Sequence, residues 1–368
     1  MKIGIVGFPN VGKSTLFNAL TGASVSAQNY PFCTVEPNIN IVPVPDRRID
    51  VLTELFKSKK KIYATIEFVD IAGLVKGASK GEGLGNKFLA NIRETDAIIH
   101  VVRCFENNEI THVNGNINPK NDIETINLEL IFADIETVER KIEKIAKMLK
   151  FSKKYEYEMI FWKKILENLQ NGVSAKMASN FFEKEKYEEF ILNTPLLTSK
   201  PVIYLCNVAE SEINSCENFY FKEVKKIAEN DQSPLIPVCA EFEAQIAQLS
   251  QEERKEFMIN MNLETSGLEL LIKTCYDYLE LISFLTSGED ETRAWRIKRG
   301  TKAPQAAGKI HSDFEQGFIK ADVISYENLV KYKSFSAARE KGLVNSEGKN
   351  YEVQDGDVIV FKFRTCSH

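Results

Sequence analysis

Short apolar runs rich in β-branched residues alternate with helical segments along the first 125 residues and return later in the chain. Before residue 125 they read KIGIVG, NINIVPV, YATIEFVD and AIIHVVR, and after residue 200 they read PVIYLC and PLIPVC. Runs of this kind are typical of strands in a sheet that helices cover on both faces. The pattern therefore predicts an α/β domain.

A different apolar spacing, alternately three and four residues, lies between these two groups of strands. Its positions are Leu128, Ile131, Ile135, Val138, Ile142, Ile145 and Leu149, followed by Met159, Trp162, Leu166, Leu169 and Val173. This spacing is typical of a coiled-coil seam. Two such helices joined near residues 150–157 predict an antiparallel hairpin, which is inserted into the α/β domain because the strands resume at Pro201.

The chain changes again after about residue 280, where AWRIKRG, GFIKADVIS and DGDVIVFKF are strand-like and ENLVKYKSFSAAREKG is helix-like. This mixture predicts a small, separate α+β domain. We therefore predict three parts: an α/β domain made of residues 1–125 and 198–279, a helical insertion at 126–197, and a C-terminal domain at 280–364.

Composition narrows the class of protein. The net charge of −5 does not suit a protein that coats nucleic acid with its whole surface, although it allows local basic patches. The seven cysteines form no CxxC pair, which favours reduced thiols in a cytosolic protein. The chain starts on a strand-like run, and no apolar stretch approaches the roughly 18 residues of a membrane span. We expect a soluble, cytoplasmic protein without membrane contact.

Residues 7–14 read GFPNVGKS, the GxxxxGK[ST] pattern of a phosphate-binding loop, directly between a predicted strand and a helix start. The glycines let backbone N–H groups turn toward phosphates, and the helix N-terminus adds its positive end. Lys13 is expected to neutralise the β- and γ-phosphates, and the Ser14 hydroxyl is expected to bind Mg²⁺. The motif predicts a nucleoside triphosphate site.

Two further positions fit the same chemistry. The strand in IEFVDIAGL ends at Asp70, which would hold Mg²⁺ through water, and the backbone N–H of Gly73 can approach the γ-phosphate closely. Thr34, in the loop YPFCTVEPN, is placed to reach Mg²⁺ and the γ-phosphate when that loop is ordered. Together they predict a nucleotide-dependent switch.

The segment YLCNVAE bears on which nucleotide base the site recognises. Asn207 occupies the asparagine position of the guanine-reading pattern Asn-Lys-x-Asp, but Val208 and Glu210 replace its lysine and aspartate. Glu210 is one methylene too long for the short bidentate contact that reads guanine, whereas Asn207 and nearby carbonyl groups can meet an adenine edge. The substitutions favour ATP and leave GTP as an alternative.

With the P-loop, the switch threonine, DxxG, KGASKGEGLGNKFL and NVAE in one chain, the sequence resembles the YchF-type ATPases, an Obg-related branch of the translation-factor GTPases. The resemblance covers essentially the whole chain and includes the helical insertion and a C-terminal TGS domain of β-grasp fold. It implies slow ATP hydrolysis, Mg²⁺ at Ser14 and Thr34, a Cys239–Ala240 loop over the base, and association with ribosomes. The residues expected to bind ATP are Asn10, Val11, Gly12, Lys13, Ser14, Thr15, Asn207, Val208 and Glu210.

The sequence shows no obvious side chain to orient the water that attacks the γ-phosphate. Leu74 follows Gly73 where Ras-like enzymes carry a water-orienting glutamine, so intrinsic turnover should be slow. His112, in the loop NNEITHVNGN, is one candidate to position or deprotonate the water. Asn10 is a candidate to coordinate K⁺ against the phosphates, as the P-loop asparagine does in some related enzymes.

Two local clusters of basic residues stand out in this acidic chain. Residues 140–154 carry seven lysines and arginines against one acid, and residues 293–309 carry six with none. Such clusters predict contacts with an RNA backbone, here rRNA. The alternatives to a ribosome-associated ATPase are a GTPase of the same fold, a P-loop small-molecule kinase, and a nucleotide-sensing RNA-binding or ribosome-binding module with negligible hydrolysis.

Overall fold

The computed structural model describes residues 1–24, 38–72, 84–107 and 117–364. The strands are β1 (Lys2–Val6), β2 (Ile39–Pro43), β3 (Lys60–Ile62), β4 (Thr65–Asp70), β5 (Ala97–Arg103), β6 (Val202–Asn207), β7 (Leu235–Val238), β8 (Leu281–Ser287), β9 (Glu291–Lys298), β10 (Phe318–Ser325), β11 (Asn345–Glu347) and β12 (Asp357–Phe363).

The helices in these residues are α1 (Lys13–Ser24), α2 (Arg47–Phe56), α3 (Leu84–Arg93), α4 (Pro119–Leu149), α5 (Glu156–Gln170), α6 (Ala175–Ala178), α7 (Lys184–Asn193), α8 (Phe219–Asn230), α9 (Ala240–Ile246), α10 (Gln251–Asn260), α11 (Gly267–Tyr278), α12 (Ala303–Gly308), α13 (Ser312–Gln316), α14 (Tyr326–Tyr332) and α15 (Phe335–Glu340). Short 3₁₀ turns lie at Lys153–Tyr155, Ser179–Phe181, Leu197–Ser199 and Glu210–Glu212.

The first sheet has the strand order β2-β4-β1-β5-β6-β7. Strand β1 runs parallel to β4 and β5, and β6 runs parallel to β5 and β7. All seven residues of β5 are buried, as expected for a central strand with helices on both faces. The predicted α/β fold is confirmed, and the six apolar runs that predicted it correspond to β1, β2, β4, β5, β6 and β7.

The helical insertion contains the predicted hairpin, formed by α4 and α5, and two further helices, α6 and α7. Asn118 caps α4 by accepting a hydrogen bond from the Asn121 N–H at 3.0 Å, and Pro119 suits the first helical position. On the predicted seam, Val138 is buried but Leu128 is 46% exposed. Helix α5 buries a second face, because the Phe161 ring lies 4.5–6.2 Å from three aromatic rings of the α6–α7 region, Phe182, Tyr187 and Phe190. The heptad pattern did not predict this second layer.

The second sheet has the order β11-β10-β12-β8-β9-β3. It contains the three predicted C-terminal strands as β9, β10 and β12, and the predicted helical stretch as α14 and α15. The chain folds as two compact units, and residues 41–66 belong to the same unit as residues 269–364. The sequence placed 41–66 in the α/β domain, but β3 pairs with β9 and Arg48 forms an ion pair with Asp355 at 2.7 Å. The assignment as a TGS domain stays a prediction.

A buried carboxylate fastens the helical insertion to the start of β6. Asp134 of α4 is 2% exposed and accepts hydrogen bonds from the Leu197 N–H, the Thr198 N–H and the Thr198 hydroxyl, at 2.7–2.8 Å. The Thr198 hydroxyl oxygen also accepts from the N–H of Ala175 at 2.9 Å. This network fixes α4, α6 and the turn before β6 to one another. No helix in the described part of the chain is both long and apolar enough to cross a membrane.

We expect Asp134→Ala to lower the free energy of unfolding by about 3 kcal/mol, because three buried donors lose their acceptor. Asp134→Asn should also destabilise, since both carboxylate oxygens accept and an amide replaces one of them by a donor. The control is Glu136→Ala, whose exposed pair with Arg140 at 3.6 Å should contribute less than about 1 kcal/mol. Urea unfolding measures all three variants, and an Asp134→Ala effect no larger than the control's would contradict this structural role.

Candidate functional site

The phosphate-binding loop lies between the end of β1 and the start of α1, as the sequence predicts. Asn10 and Gly12 have φ angles of +63° and +95°, so the chain makes a left-handed turn there that glycine adopts freely. A Cβ on Gly12 would lie 2.2 Å from the Nδ2 atom of Asn207, which excludes any side chain. Gly12 is therefore required by its conformation and by the close approach of a neighbouring residue.

The side-chain amide of Asn207 links three segments of the site. This residue ends β6 and is 4% exposed. Its Nδ2 donates a hydrogen bond to the carbonyl oxygen of Val11 at 2.9 Å, and its Oδ1 accepts one from the Ala240 N–H at 2.9 Å. Asn207 thus holds the P-loop and the β7–α9 turn together.

Lys13 and Asp70 form an ion pair. Strands β1 and β4 are parallel with Ile5 opposite Asp70, so the carboxylate at the end of β4 lies beside the segment that leads into the P-loop. The Lys13 side chain is 11% exposed and the Asp70 side chain 22%. The pair therefore brings the cation expected to bind phosphate next to the carboxylate expected to bind Mg²⁺ through water.

Ser14 and Thr15 are exposed in the first turn of α1, where unpaired backbone N–H groups and the helix dipole favour an anion. The Ser14 hydroxyl and the Asp70 carboxylate offer the oxygen ligands that Mg²⁺ prefers. Among the described residues, no group of three or more His, Cys, Asp or Glu side chains could hold a metal by itself. This fits Mg²⁺, which usually takes few protein ligands and completes its shell with phosphates and water.

A cleft of about 660 Å³ opens beside the P-loop, a size suited to a small ligand. Its lining residues are Asn10, Gly12, Thr15, Phe105, Glu106, Asn107, Asn207, Val208, Ala209, Glu210, Cys239, Ala240 and Glu241. The cleft therefore joins the P-loop to the NVAE segment and to the Cys239–Ala240 turn, as expected for a site that holds phosphates and a base together.

The cleft wall formed by the NVAE segment and the Cys239–Ala240 turn is acidic, because Glu210 and Glu241 line it. Burial raises the pKa of the Cys239 thiol, and the negative charges of Glu210 and Glu241 raise it further. The thiol is therefore neutral at pH 7, and the two carboxylates lie close to the turn that carries it. Carboxylates accept hydrogen bonds, so this wall suits the amino group of a purine base.

The Val208 side chain points away from the cleft that its segment lines. Its side chain is 1% exposed and packs in the apolar core with residues such as Cys206, Phe221 and Phe242. Its N–H donates to the Val238 carbonyl at 2.8 Å. Val208 therefore meets the cleft through its backbone, and a lysine at this position would have to enter the core. Glu210, by contrast, is exposed at the cleft wall.

The loop after β5 lines the cleft but was missed by the sequence analysis. Arg103 ends β5, and its guanidinium donates to the carbonyl oxygens of Phe105 and Asn107 at 3.2 and 3.1 Å. The guanidinium carbon also lies 4.6 Å from the centre of the Phe105 ring, and burial lowers the pKa of Arg103. Arg103 thereby shapes the wall at residues 105–107. The sequence signal that could have indicated this role was a basic residue at the end of a strongly apolar strand.

Four predicted positions lie outside the described residues: Thr34, Gly73, Leu74 and His112. Their roles stay predictions. His100, another of the four histidines, is buried in β5, and burial lowers its pKa to about 4. Its ring is therefore neutral at physiological pH.

The first basic cluster lies at the tip of the α4–α5 hairpin. Lys144, Lys147, Lys150, Lys153 and Lys154 are all exposed. Lys141 instead lies half-buried, in an ion pair with Glu158 at 3.0 Å. The tip therefore presents five lysine ammonium groups to solvent.

In the second cluster, 293–309, two of the basic residues have partners within the protein and four are exposed. Arg293 lies over the Trp295 ring at 4.0 Å, and Arg296 donates to the Thr65 carbonyl, so both arginines have structural partners. The exposed cations are Lys298, Arg299, Lys302 and Lys309. Fewer residues are available to a partner here than the sequence count suggested.

Comparisons with known proteins agree with this geometry. A family profile described as a 50S ribosome-binding GTPase matches residues 2–154, and the YchF-GTPase C-terminal profile, described as a protein of unknown function, matches residues 281–364. A curated relative named ribosome-binding ATPase YchF, from Bacillus subtilis, is 49% identical over 365 residues, 99% of each chain. The relative of the same name from Pasteurella multocida is 50% identical over 363 residues, 98% of this chain and 99% of its own.

Among solved structures, the one described as the Schizosaccharomyces pombe YchF GTPase matches with a TM-score of 0.88 and 39% identity. The match covers 98% of this chain and 97% of that chain. Sequence and structure thus agree from the P-loop to the C-terminal unit, and the chain belongs to the YchF family of P-loop NTPases.

Proposed function

We propose that this protein is a ribosome-associated switch that binds ATP with Mg²⁺, hydrolyses it slowly, and works in the cytoplasm. The observation that carries the proposal is the cleft that joins Asn10, Gly12 and Thr15 of the P-loop region to the acidic wall at Glu210. Lys13, between two of these residues in the chain, forms its ion pair with Asp70. The curated relatives' name, ribosome-binding ATPase, supports both halves of the proposal.

The ion pair between Lys13 and Asp70 would couple phosphate binding to metal binding. A phosphate held by the backbone N–H groups of the P-loop competes with Asp70 for the Lys13 ammonium. As the ammonium turns to the phosphate, the carboxylate becomes available to a water molecule on Mg²⁺, which Ser14 and Thr34 would also ligate. When bound there, Mg²⁺ would neutralise phosphate charge. Gly73 would donate its N–H to the γ-phosphate.

The attacking water would be positioned by His112 or by K⁺ at Asn10. The left-handed conformation of Asn10 places this residue at the mouth of the P-loop, next to where phosphates bind. Leu74 cannot hydrogen-bond to water, so the glutamine that orients the water in Ras-like enzymes has no counterpart at this position, and basal turnover would be slow.

A GTPase of the same fold is the second candidate. Guanine also offers hydrogen-bond donors to carboxylates such as Glu210 and Glu241, and the solved S. pombe relative is described as a GTPase. The buried Val208 removes the lysine stem that usually covers guanine, which favours ATP. Direct titration with both nucleotides decides between them.

We expect Lys13→Ala to weaken ATP binding and abolish hydrolysis, because the phosphates lose their cation while the cleft walls remain. Lys163→Ala, which removes an exposed lysine on α5, is the matched control and should leave both unchanged. Isothermal titration calorimetry measures ATP affinity, and phosphate release measures ATP hydrolysis. Thermal unfolding shows whether each variant is folded. Unchanged ATP turnover in folded Lys13→Ala would contradict the assignment of this site.

We expect the unaltered protein to bind ATP more tightly than GTP. Glu210→Asp should raise GTP affinity about two- to fivefold, less than the roughly 1–3 kcal/mol of a complete bidentate contact, because Val208 stays in place. This single change avoids forcing a lysine into the core at position 208. Glu229→Asp, on the exposed face of α8, is the control. A native preference for GTP would identify the protein as a GTPase instead.

If the lysines of the hairpin tip contact rRNA phosphates, ribosome binding should weaken as salt rises, because bound counterions are released. Reversing Lys147, Lys150 and Lys153 to Glu should weaken binding and reduce the salt slope by about 2–3. The control reverses Lys222, Lys225 and Lys226 on α8, with the same change in net charge. Cosedimentation at several salt concentrations gives the slope, and equal losses in both triple variants would show an unspecific charge effect.

A further inference from the structure

One aromatic side chain stands out at the tip of the helical hairpin. Phe151, two residues after the end of α4, is 90% exposed, whereas no other exposed large apolar side chain in the described ranges exceeds the 81% of Leu192. A phenylalanine in this position gives up the stabilisation that burial of its ring would contribute.

The backbone around Phe151 forms a hydrogen-bonded turn. The N–H groups of Phe151 and Ser152 both donate to the Met148 carbonyl, at 3.0 and 3.1 Å. The Ser152 hydroxyl then accepts from the Lys154 N–H at 3.4 Å and starts a 3₁₀ turn that leads directly into α5. The ring is therefore presented by a hydrogen-bonded turn.

The neighbours of the ring are cations. Lys150 precedes Phe151, Lys153 and Lys154 follow it, and all three are exposed. Protein–protein contacts are usually depleted in lysine near their buried aromatic anchors. An aromatic ring within a lysine-rich tip is instead the combination that single-stranded nucleic acid sites use, because the ring stacks on a base while the cations bind phosphates.

We propose that Phe151 stacks on an unpaired base of RNA, with the tip lysines binding the phosphates on either side of that nucleotide. This inference rests on the proposed ribosome association and adds the class of RNA. Paired bases in a duplex are stacked on each other and present only their edges, so the tip selects a loop, bulge or single-stranded end. The contact tolerates any base sequence, since every base has a π face.

The test uses the full chain and two RNA probes: a hairpin with an adenosine loop, and the same strand annealed to its complement as a duplex. Fluorescence anisotropy gives the affinities. The unaltered protein should prefer the hairpin, and Phe151→Ala should weaken hairpin binding about 5- to 100-fold without changing the salt slope. Phe151→Tyr should restore binding, whereas Phe151→Leu should not. Phe219→Ala, which removes another exposed phenylalanine, is the control.

The Phe151→Trp variant gives a direct readout, because a base stacked on the indole should quench its fluorescence when the hairpin is added. Equal hairpin binding by Phe151→Ala and the unaltered protein would overturn the inference. Full rescue by Phe151→Leu would also overturn it and indicate an apolar protein contact. If lysine reversal weakens ribosome binding but Phe151→Ala does not, the proposed ribosome contact stands and the stacking inference alone fails.

Discussion

The candidate site depends on one buried amide. Asn207 uses both ends of its side chain, one to hold the P-loop at Val11 and the other to hold the β7–α9 turn at Ala240. Because this amide lies against Gly12, the loop can approach it only where the residue has no side chain. A single polar contact thus sets the spacing between the phosphate end of the cleft and the wall that would face a base. Its loss would leave buried donors and acceptors unsatisfied.

Charge is distributed along the cleft in a way that suits a nucleotide. The P-loop carries the Lys13 cation and leads into the N-terminus of α1, whereas the wall formed by the NVAE segment and the Cys239–Ala240 turn carries Glu210 and Glu241. Anionic phosphates and a base with a donor amino group would therefore bind in a defined direction. In the proposed function, a phosphate that attracts the Lys13 ammonium would also release the Asp70 carboxylate. This exchange would couple the binding of phosphate to the binding of metal.

The helical insertion combines a rigid base with an exposed tip. Asp134 fastens α4 next to β6, and the aromatic layer around Phe161 stiffens α5 against α7. At the other end, the tip lysines and Phe151 are exposed to solvent. The packing that stabilises the insertion therefore lies mainly near the sheet, while the tip presents exposed side chains. Such a division is expected of a segment whose tip is used for contact.

The sequence by itself determined the strands of the first sheet, the hairpin and the phosphate-binding loop, because these depend on local apolar spacing and on a short motif. It also indicated the segment expected to contact the base, since Asn207 and Glu210 belong to one short motif that follows an apolar run. Tertiary structure alone decided that Val208 points into the core, that Arg103 shapes the cleft wall, and that residues 41–66 join the C-terminal unit. These outcomes depend on contacts between residues far apart in the chain, which neither periodicity nor motif spacing can encode.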